Sequence, residues 1–277
     1  MPELPEVEVI ARGLDACLPG RTIQSTEVFW ERTVAPPISA TEFKRRTASQ
    51  SIERVWRRGK FLILDLKSGS HLLVHLRMTG QLCIMPAGTS LSPYVRARFL
   101  LNGEIDLHFS DVRKFGRLYL TDDLSTIIGA LGPEPLSNEF TAEMFRKMLQ
   151  ERRGRIKPLL LDQRFVAGLG NIYVDESLFR AGIHPLRSAS SLDARESRRL
   201  HREIRRILEE AIRRRGTTLN DYRDAAGQTG EQQNHLAVYG RAGDSCVHCG
   251  APIQRIVVGQ RGTHFCPHCQ PASVDNA

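Results

Sequence analysis

Phe61-Leu-Ile-Leu-Asp-Leu-Lys-Ser-Gly-Ser-His-Leu-Leu-Val-His-Leu-Arg-Met78 reads as two strands joined by a turn. Phe61, Ile63 and Asp65 alternate with Leu62, Leu64 and Leu66, the period of two that sends successive side chains to opposite faces of a sheet. Ser68-Gly69 then turns the chain back into His71–Met78. Neither run approaches the ~20 apolar residues of a membrane span. Downstream, strands are predicted over residues 95–101, 105–109 and 116–120, with Asn102-Gly103 as a tight hairpin turn. Several short strands separated by turns, from about Ile23 to Leu120, predict a sandwich or barrel.

Outward from this strand region the period changes. Toward the amino terminus, Val7, Ile10, Leu14 and Cys17 recur every three or four residues, which predicts a helix over residues 5–17 with one apolar stripe. Pro5 suits its first turn, Glu6 and Glu8 complement its positive end, and Gly20 lies past its stop. For Glu8 that dipole role is the preferred reading. Toward the carboxyl terminus, Leu131-Gly-Pro-Glu-Pro-Leu136 punctuates the chain as a linker. Helices are predicted beyond it at residues 141–153, 156–163, 171–181 and 192–215. The last carries nine arginines among Leu200, Ile204, Ile207, Leu208 and Ala211, which suits a solvated face or a phosphate-binding one equally.

With 277 residues, 25% charged and 41% hydrophobic, the chain has the profile of a soluble globular protein with room for two cores. Met1-Pro-Glu-Leu-Pro-Glu lacks the basic start and apolar stretch of a signal peptide, so an intracellular location is expected. The net charge of +8 favours polyanions such as nucleic acid, or simply keeps the surface solvated. Cys17 and Cys83 stand apart and are expected to be small apolar fillers in a reducing compartment.

The other four cysteines form C-x2-C-x16-C-x2-C: Cys246, Cys249, Cys266 and Cys269. Two close pairs brought together by a hairpin supply the four soft ligands that tetrahedral zinc requires. Four thiolates close the shell, so the metal is expected to be structural, with His248 and His268 outside it. A redox pair would account for either Cys-x-x-Cys alone, but not for two at this separation. A second motif, Val166-Ala-Gly-Leu-Gly-Asn-Ile172, sets two glycines before a helix start. Exposed N–H groups there can receive a phosphate, with Asn171 as the expected cap and donor and with Arg153 and Lys157 upstream. An ordinary glycine-to-helix turn has the same appearance.

Further segments connect these features: Pro2-Glu-Leu-Pro-Glu-Val-Glu8, Arg58-Gly-Lys60, His75-Leu-Arg-Met-Thr-Gly80, Asp111-Val-Arg-Lys-Phe-Gly116, Leu131-Gly-Pro-Glu-Pro135, Gly168-Leu-Gly-Asn-Ile-Tyr173 and Val238-Tyr-Gly-Arg241. In this order, and continuing to the last zinc ligand, they resemble the bacterial formamidopyrimidine-DNA glycosylase family. The resemblance implies an α+β multidomain fold: an N-terminal β-sandwich with flanking helices over residues 1–133, a helix-two-turn-helix domain over 134–240, a zinc-finger hairpin over 241–270, and a disordered tail over 271–277. It also implies a bifunctional DNA glycosylase and abasic-site lyase of base-excision repair. Such an enzyme acts on oxidised purines in damaged double-stranded DNA, as a cytoplasmic, nucleoid-associated monomer with one structural zinc and no organic cofactor.

In that family the nucleophile is the amino-terminal proline, here Pro2 once Met1 is removed. An α-amino group has a pKa near ~8, so part of it is neutral and able to attack. Attack on the sugar carbon C1′ expels the base and leaves an iminium, an electron sink that permits strand cleavage by β,δ-elimination. Glu3 is similar to the acid/base residue, Lys60 to the proton donor for β-elimination, and Arg261 to the residue assisting δ-elimination. Arginine, with a pKa above about 12, is a poor acid, so Arg261 is expected to grip the phosphate instead. Met78, Arg113 and Phe115 map onto the side chains that fill the gap left by an extruded base. Arg113, Arg153, Lys157 and Asn171 are the implied phosphate contacts, and Glu6 lines the base pocket.

Two places depart from the family pattern. Gln232 and Asn234 stand where the lesion-covering loop usually has phenylalanine and glutamine, and Ser92-Pro-Tyr94 stands where a DNA-contacting histidine is usual. A non-catalytic DNA-binding protein, and a relative of endonuclease VIII type acting on oxidised pyrimidines, are the competing functions. The opening Pro2–Glu8 favours the purine branch.

Overall fold

The computed structural model describes residues 1–272, so the tail predicted for 271–277 lies outside the described residues from 273 onward. The chain forms two compact units. One is Met1–Ala130 with Ile212–Gln233; the other is Leu131–Ala211 with Asn234–Ala277.

The first unit begins with helix α1 (Leu4–Asp15) and continues through strand β1 (Thr22–Val28), helix α2 (Ala40–Thr47) and strands β2 (Gln50–Arg58), β3 (Phe61–Leu66) and β4 (His71–His75). Strands β5 (Gly80–Pro86), β6 (Val95–Leu101), β7 (Ile105–Asp111) and β8 (Arg117–Thr121) follow, then the short helix α3 (Ser125–Ile128). The eight strands are hydrogen-bonded in the order β5-β7-β6-β1-β2-β3-β4-β8. At the middle of this order β1 and β2 are in register only through Thr22–Ser51 and Ile23–Gln50. Four strands lie to either side of that narrow join, and they form the two layers of a sandwich. One layer contributes Val55, Leu62, Leu64, Leu72 and Val74 to the core, the other Leu82, Ala97, Phe99, Leu107 and Phe109. The two end strands are not neighbours in the order, so the sheet is a sandwich and not a closed barrel.

Helix α1 closes one side of this core with Val7, Ile10, Ala11 and Leu14. It begins one residue before the predicted start and ends at Asp15, so Cys17 is exposed rather than a buried filler. Residues 212–233 were expected within the helical domain but belong to this unit. Tyr222 and Ala225 enter its core, and Ile84 N–H donates to the Ala225 carbonyl at 3.0 Å, which holds the segment along β5.

The second unit holds helices α4 (Ala142–Gln150), α5 (Ile156–Leu161), α6 (Asn171–Ala181) and most of α7 (Ala194–Arg213), then the hairpin strands β9 (Gln254–Val258) and β10 (Arg261–Phe265). Thr141 caps α4 by accepting from Met144 N–H at 3.1 Å. Helix α7 buries Leu200, Ile204, Ile207, Leu208 and Ala211 along one face. Its arginines divide by position: Arg205 holds the carbonyls of Pro135 and Ser137 at 2.7 Å each, while Arg206 pairs with Glu210 at 2.9 Å on the surface. The zinc-finger segment packs with α6 through Phe179, Val238, Cys246, Ile253 and Cys266. Gln270 adds a bond to the Ile183 carbonyl at 2.8 Å. Among the described residues, no helix is long and apolar enough to cross a membrane.

Candidate active site and nucleic-acid interface

The amino end of α1 is fixed by its own side chains. Glu3 is the N-cap and Glu6 the third helical residue, and the two form a reciprocal capping box, with Glu3 N–H donating to Glu6 Oε2 at 2.7 Å. Pro2, Glu3 and Glu6 are all buried. The second oxygen of Glu6 accepts from Thr217 N–H at 2.7 Å, so one carboxylate ties the helix start to the 212–233 segment. Burial, reinforced by the nearby Glu6 carboxylate, pushes the Tyr222 phenol well above its ordinary value and keeps it neutral.

Two contacts give α1 its direction along β2. Asp15 near its end accepts from Val55 N–H at 2.7 Å, and Glu8 nearer its start pairs with Arg57 at 2.8 Å. The helix start therefore points toward the end of β2, where Gly59-Lys60 turns into β3. Burial alone would raise the Glu8 carboxyl, but the Arg57 and Arg12 guanidiniums more than offset it and hold Glu8 below the usual carboxylate value. Glu8 is thus an ion-pair partner and does more than complement the helix dipole. Lys60 is 7% exposed, far from an ordinary solvated surface lysine. Beside it, burial and then the charges of Arg77 and Lys60 lower the His75 imidazole to about 3. His75 is neutral at working pH, and its Nδ1 accepts from Arg77 N–H at 3.1 Å.

Met78, Arg113 and Phe115 also belong to this unit, and all three project from loops at strand ends. Met78 is 36% and Phe115 47% exposed, with the Arg113 guanidinium 4.8 Å from the Phe115 ring centre. Exposure of two large apolar side chains on one set of loops argues against a core role for them.

In the second unit the four zinc cysteines converge, their sulfurs all within 4.8 Å of one another. Cys246–Cys269 and Cys249–Cys266 sulfurs are 3.9 and 3.5 Å apart. Tetrahedral zinc with sulfur ligands at about 2.3 Å requires sulfurs separated by ~3.8 Å, so this cradle fits one ion. Backbone N–H groups of His248 and Cys269 point at the Cys246 and Cys266 sulfurs, both at 3.4 Å, and stabilise thiolate charge. The finger holds one structural zinc.

Gly259 and Gln260, both with positive φ, make the turn between β9 and β10, and exposed Arg261 starts the returning strand. Its neighbour Gly262 offers a carbonyl that accepts from Lys157 Nζ at 3.1 Å and Asn171 Nδ2 at 2.9 Å. Lys157 corrects the sequence expectation. It is wholly buried and paired with equally buried Asp175 at 2.6 Å, so its ammonium does not reach a DNA phosphate. Asn171 is the first helical residue of α6, and Gly170 is the cap. Arg153 is exposed, and its side chain is open to solvent.

Sequence reasoning missed Asp175 and Glu176. Asp175 also accepts from His264 N–H at 2.9 Å, and Glu176 receives the N–H groups of Ala237, Val238 and Tyr239 within 3.1 Å. Together they attach the zinc finger and the segment before it to α6. Two adjacent acids flanked by the apolar Ile172, Tyr173, Val174, Leu178 and Phe179 were the available signal. Of the two unusual loop residues, Gln232 is buried and accepts from Arg214 at 3.0 Å, while Asn234 is exposed.

A sandwich with a buried Glu3–Glu6 helix start, a helical unit and a basic zinc-finger hairpin define a nucleic-acid-processing enzyme. Family models match in the same order: the formamidopyrimidine-DNA glycosylase N-terminal domain over residues 1–118, its H2TH domain over 131–223, and the zinc finger found in FPG and IleRS over 243–272. The formamidopyrimidine-DNA glycosylases of Protochlamydia amoebophila and Pelotomaculum thermopropionicum are 46% and 47% identical, each over 98% of this chain and 99% of their own. Lactococcus lactis Fpg is similar in structure, both bound to DNA containing an abasic site and, as the wild type, to DNA containing N7-benzyl-Fapy-dG. In each case the TM-score is 0.91, with 38% and 39% identity, over 98% of this chain and all of the other. The chain belongs to the formamidopyrimidine-DNA glycosylase family.

Proposed function

We propose that this enzyme excises oxidised purines, chiefly formamidopyrimidines and 8-oxoguanine, from double-stranded DNA and then cleaves the strand at the abasic site. After loss of Met1, the neutral secondary amine of Pro2 attacks C1′, the bond to the base breaks, and Glu3 protonates the opening sugar. The resulting iminium acidifies the neighbouring carbon. That carbon loses its proton to water as the C3′–O bond to the phosphate breaks, Lys60 donates a proton to the departing side, and Arg261 grips the phosphate that leaves in the δ step. Met78, Arg113 and Phe115 occupy the gap left by the extruded base, Arg153 and Asn171 contact the strand, and Glu6 lines the pocket. The domain roles follow: a catalytic sandwich unit over residues 1–130 with 212–233, a helical DNA-binding region over 131–211 and a DNA-gripping finger at 241–270. Action on chromosomal DNA assigns the protein to the cytoplasm and nucleoid, as a monomer.

The observation that carries this reading is the burial of Glu3 and Lys60 at the end of the sandwich toward which the α1 start, with Pro2, is directed. Burial of acid and amine near a nucleophile suits proton transfer in a low-dielectric site. The test is incubation of Met1-free protein with an 8-oxoguanine:cytosine duplex and borohydride, which reduces the iminium to a stable protein–DNA adduct. Adduct formation that is abolished by acetylating the amino terminus is expected. No adduct would leave a non-catalytic DNA-binding protein, and adducts only with oxidised pyrimidines would move the chain to the pyrimidine-directed branch.

A further inference from the structure

Asp111 ends β7 and is 1% exposed, yet the loop it leads into is open to solvent at Val112, Arg113, Lys114 and Phe115. Its carboxylate is divided between two loops. Oδ2 accepts from Gly116 N–H at 2.7 Å, and Oδ1 accepts from Arg113 N–H at 3.1 Å. These bonds close the loop on both sides of Phe115. Oδ1 also accepts from the hydroxyl of Thr79, the residue after Met78, and that hydroxyl accepts in turn from Arg113 N–H at 3.2 Å. Thr79 and Asp111 therefore join the Met78 turn to the Arg113–Phe115 loop.

The surroundings leave this clamp little freedom. A Cβ at Gly116 would lie 2.4 Å from Phe109 Cζ and 3.2 Å from Asp111 Oδ2, so the loop returns directly against the carboxylate. Lys114 takes a left-handed φ of 61°, which bends the loop between Arg113 and Phe115. On the other face, Asp111 N–H donates to the Tyr94 carbonyl at 2.9 Å, and Arg96 Nε donates to the Asp111 carbonyl at 2.8 Å. The backbone of Asp111 is thus held by neighbouring strands, and its side chain transmits that fixed position to two exposed loops.

We infer that Asp111, coupled through the Thr79 hydroxyl, is a positioning residue that makes Met78, Arg113 and Phe115 one pre-assembled wedge for base extrusion. A wedge enters a base stack only if its side chains arrive together, because each partial insertion unstacks bases without filling the gap. Ordering the loops before binding removes that entropy from the extrusion step. Asp111 is 1% exposed and acts through the loops it holds, and this inference rests on the gap-filling role proposed for the three side chains.

The experiment compares two substrates in single-turnover assays of Thr79→Val and Asp111→Asn. Thr79→Val breaks only the link between the loops, and Asp111→Asn replaces an acceptor oxygen by a donor facing the N–H groups. With 8-oxoguanine paired to cytosine, both variants are expected to lose at least tenfold in excision rate. On a pre-formed abasic site, which presents no base to extrude, strand cleavage should stay within about twofold of the wild type. A fluorescent cytosine analogue opposite the lesion should lose the brightening that accompanies unstacking. Equal losses on both substrates, or no loss with Thr79→Val, would overturn the inference. If wild-type protein cleaves both substrates without any such brightening, the gap-filling reading itself fails.

Discussion

Lys157 and Asp175 form a wholly buried ion pair, Nζ to Oδ1 at 2.6 Å, directly against the hairpin that presents Arg261. Both partners also bond to that hairpin: Lys157 to the Gly262 carbonyl at 3.1 Å, Asp175 to His264 N–H at 2.9 Å. Asn171 reinforces the same carbonyl at 2.9 Å. A buried pair returns little net stability over an apolar substitute, but removing one partner leaves an uncompensated charge. The pair therefore matters through the geometry it imposes on the residue next to Arg261.

Lys157→Met is expected to destabilise the protein by about 3–5 kcal/mol, the usual cost of stranding a buried charge. The double variant Lys157→Met with Asp175→Leu should recover most of that loss in urea unfolding. Its hairpin would keep the Asn171 bond but lose the two from the pair, so products of strand cleavage should shift from β,δ- toward β-elimination on a sequencing gel. A single variant as stable as the wild type would contradict the buried-pair account.

Cys246→Ser should release the zinc, because the four sulfurs form one closed ligand set. Cys246 and Cys266 also lie in the apolar cluster with Phe179 and Val238, so loss of metal loosens packing on α6. Zinc content measured by a colorimetric chelator and DNA affinity by gel shift are expected to fall together. A zinc-free variant with full affinity would separate the finger from DNA binding.

The strands and the zinc site were legible because their signals are local. Alternation over Phe61–Leu66 and the two cysteine pairs need no knowledge of tertiary neighbours. The return of Tyr222 and Ala225 to the sandwich core was not legible, since nothing near them in sequence specifies a partner more than a hundred residues away. Lys157 was misread for the same reason. A lysine near a glycine-rich helix start has the sequence appearance of a phosphate ligand, and only the spatial position of Asp175 turns it inward. Asp111 could be noticed as a motif residue, but its two-loop clamp depends on strand register that sequence does not display.

Lys60→Ala should slow strand cleavage by roughly 10²–10⁴-fold, the range of a general acid, while weak binding to undamaged duplex persists. The buried position of Lys60 makes an incidental surface effect a poor explanation of such a loss. Single-turnover cleavage of a pre-formed abasic site isolates the elimination step from base extrusion. An unchanged rate there would remove Lys60 from the reaction.

His75 offers a test of the same region by pH. Burial, then the charges of Arg77 and Lys60, bring its imidazole to about 3 in the folded protein, whereas in the unfolded chain it titrates near the ordinary value of 6.5. Between those values the unfolded chain binds a proton that the folded one does not, so the stabilisation is complete above pH 6.5 and is lost as pH falls toward 3. The expected slope is about 1.4 kcal/mol per pH unit for one such group. Buried His108 and His184 and half-buried His201 act with the same sign, and carboxylates join below about pH 5. His75→Asn keeps an acceptor for Arg77 N–H, now bonded to Nδ1 at 3.1 Å, and removes the titration together with the ring contact to Phe61 at 4.6 Å, a loss that lowers stability at every pH alike. Urea unfolding from about pH 6.5 to 5 should then show a slope shallower by roughly one proton's worth. Parallel curves for the variant and the wild type would mean that His75 accepts its proton without opening this part of the fold.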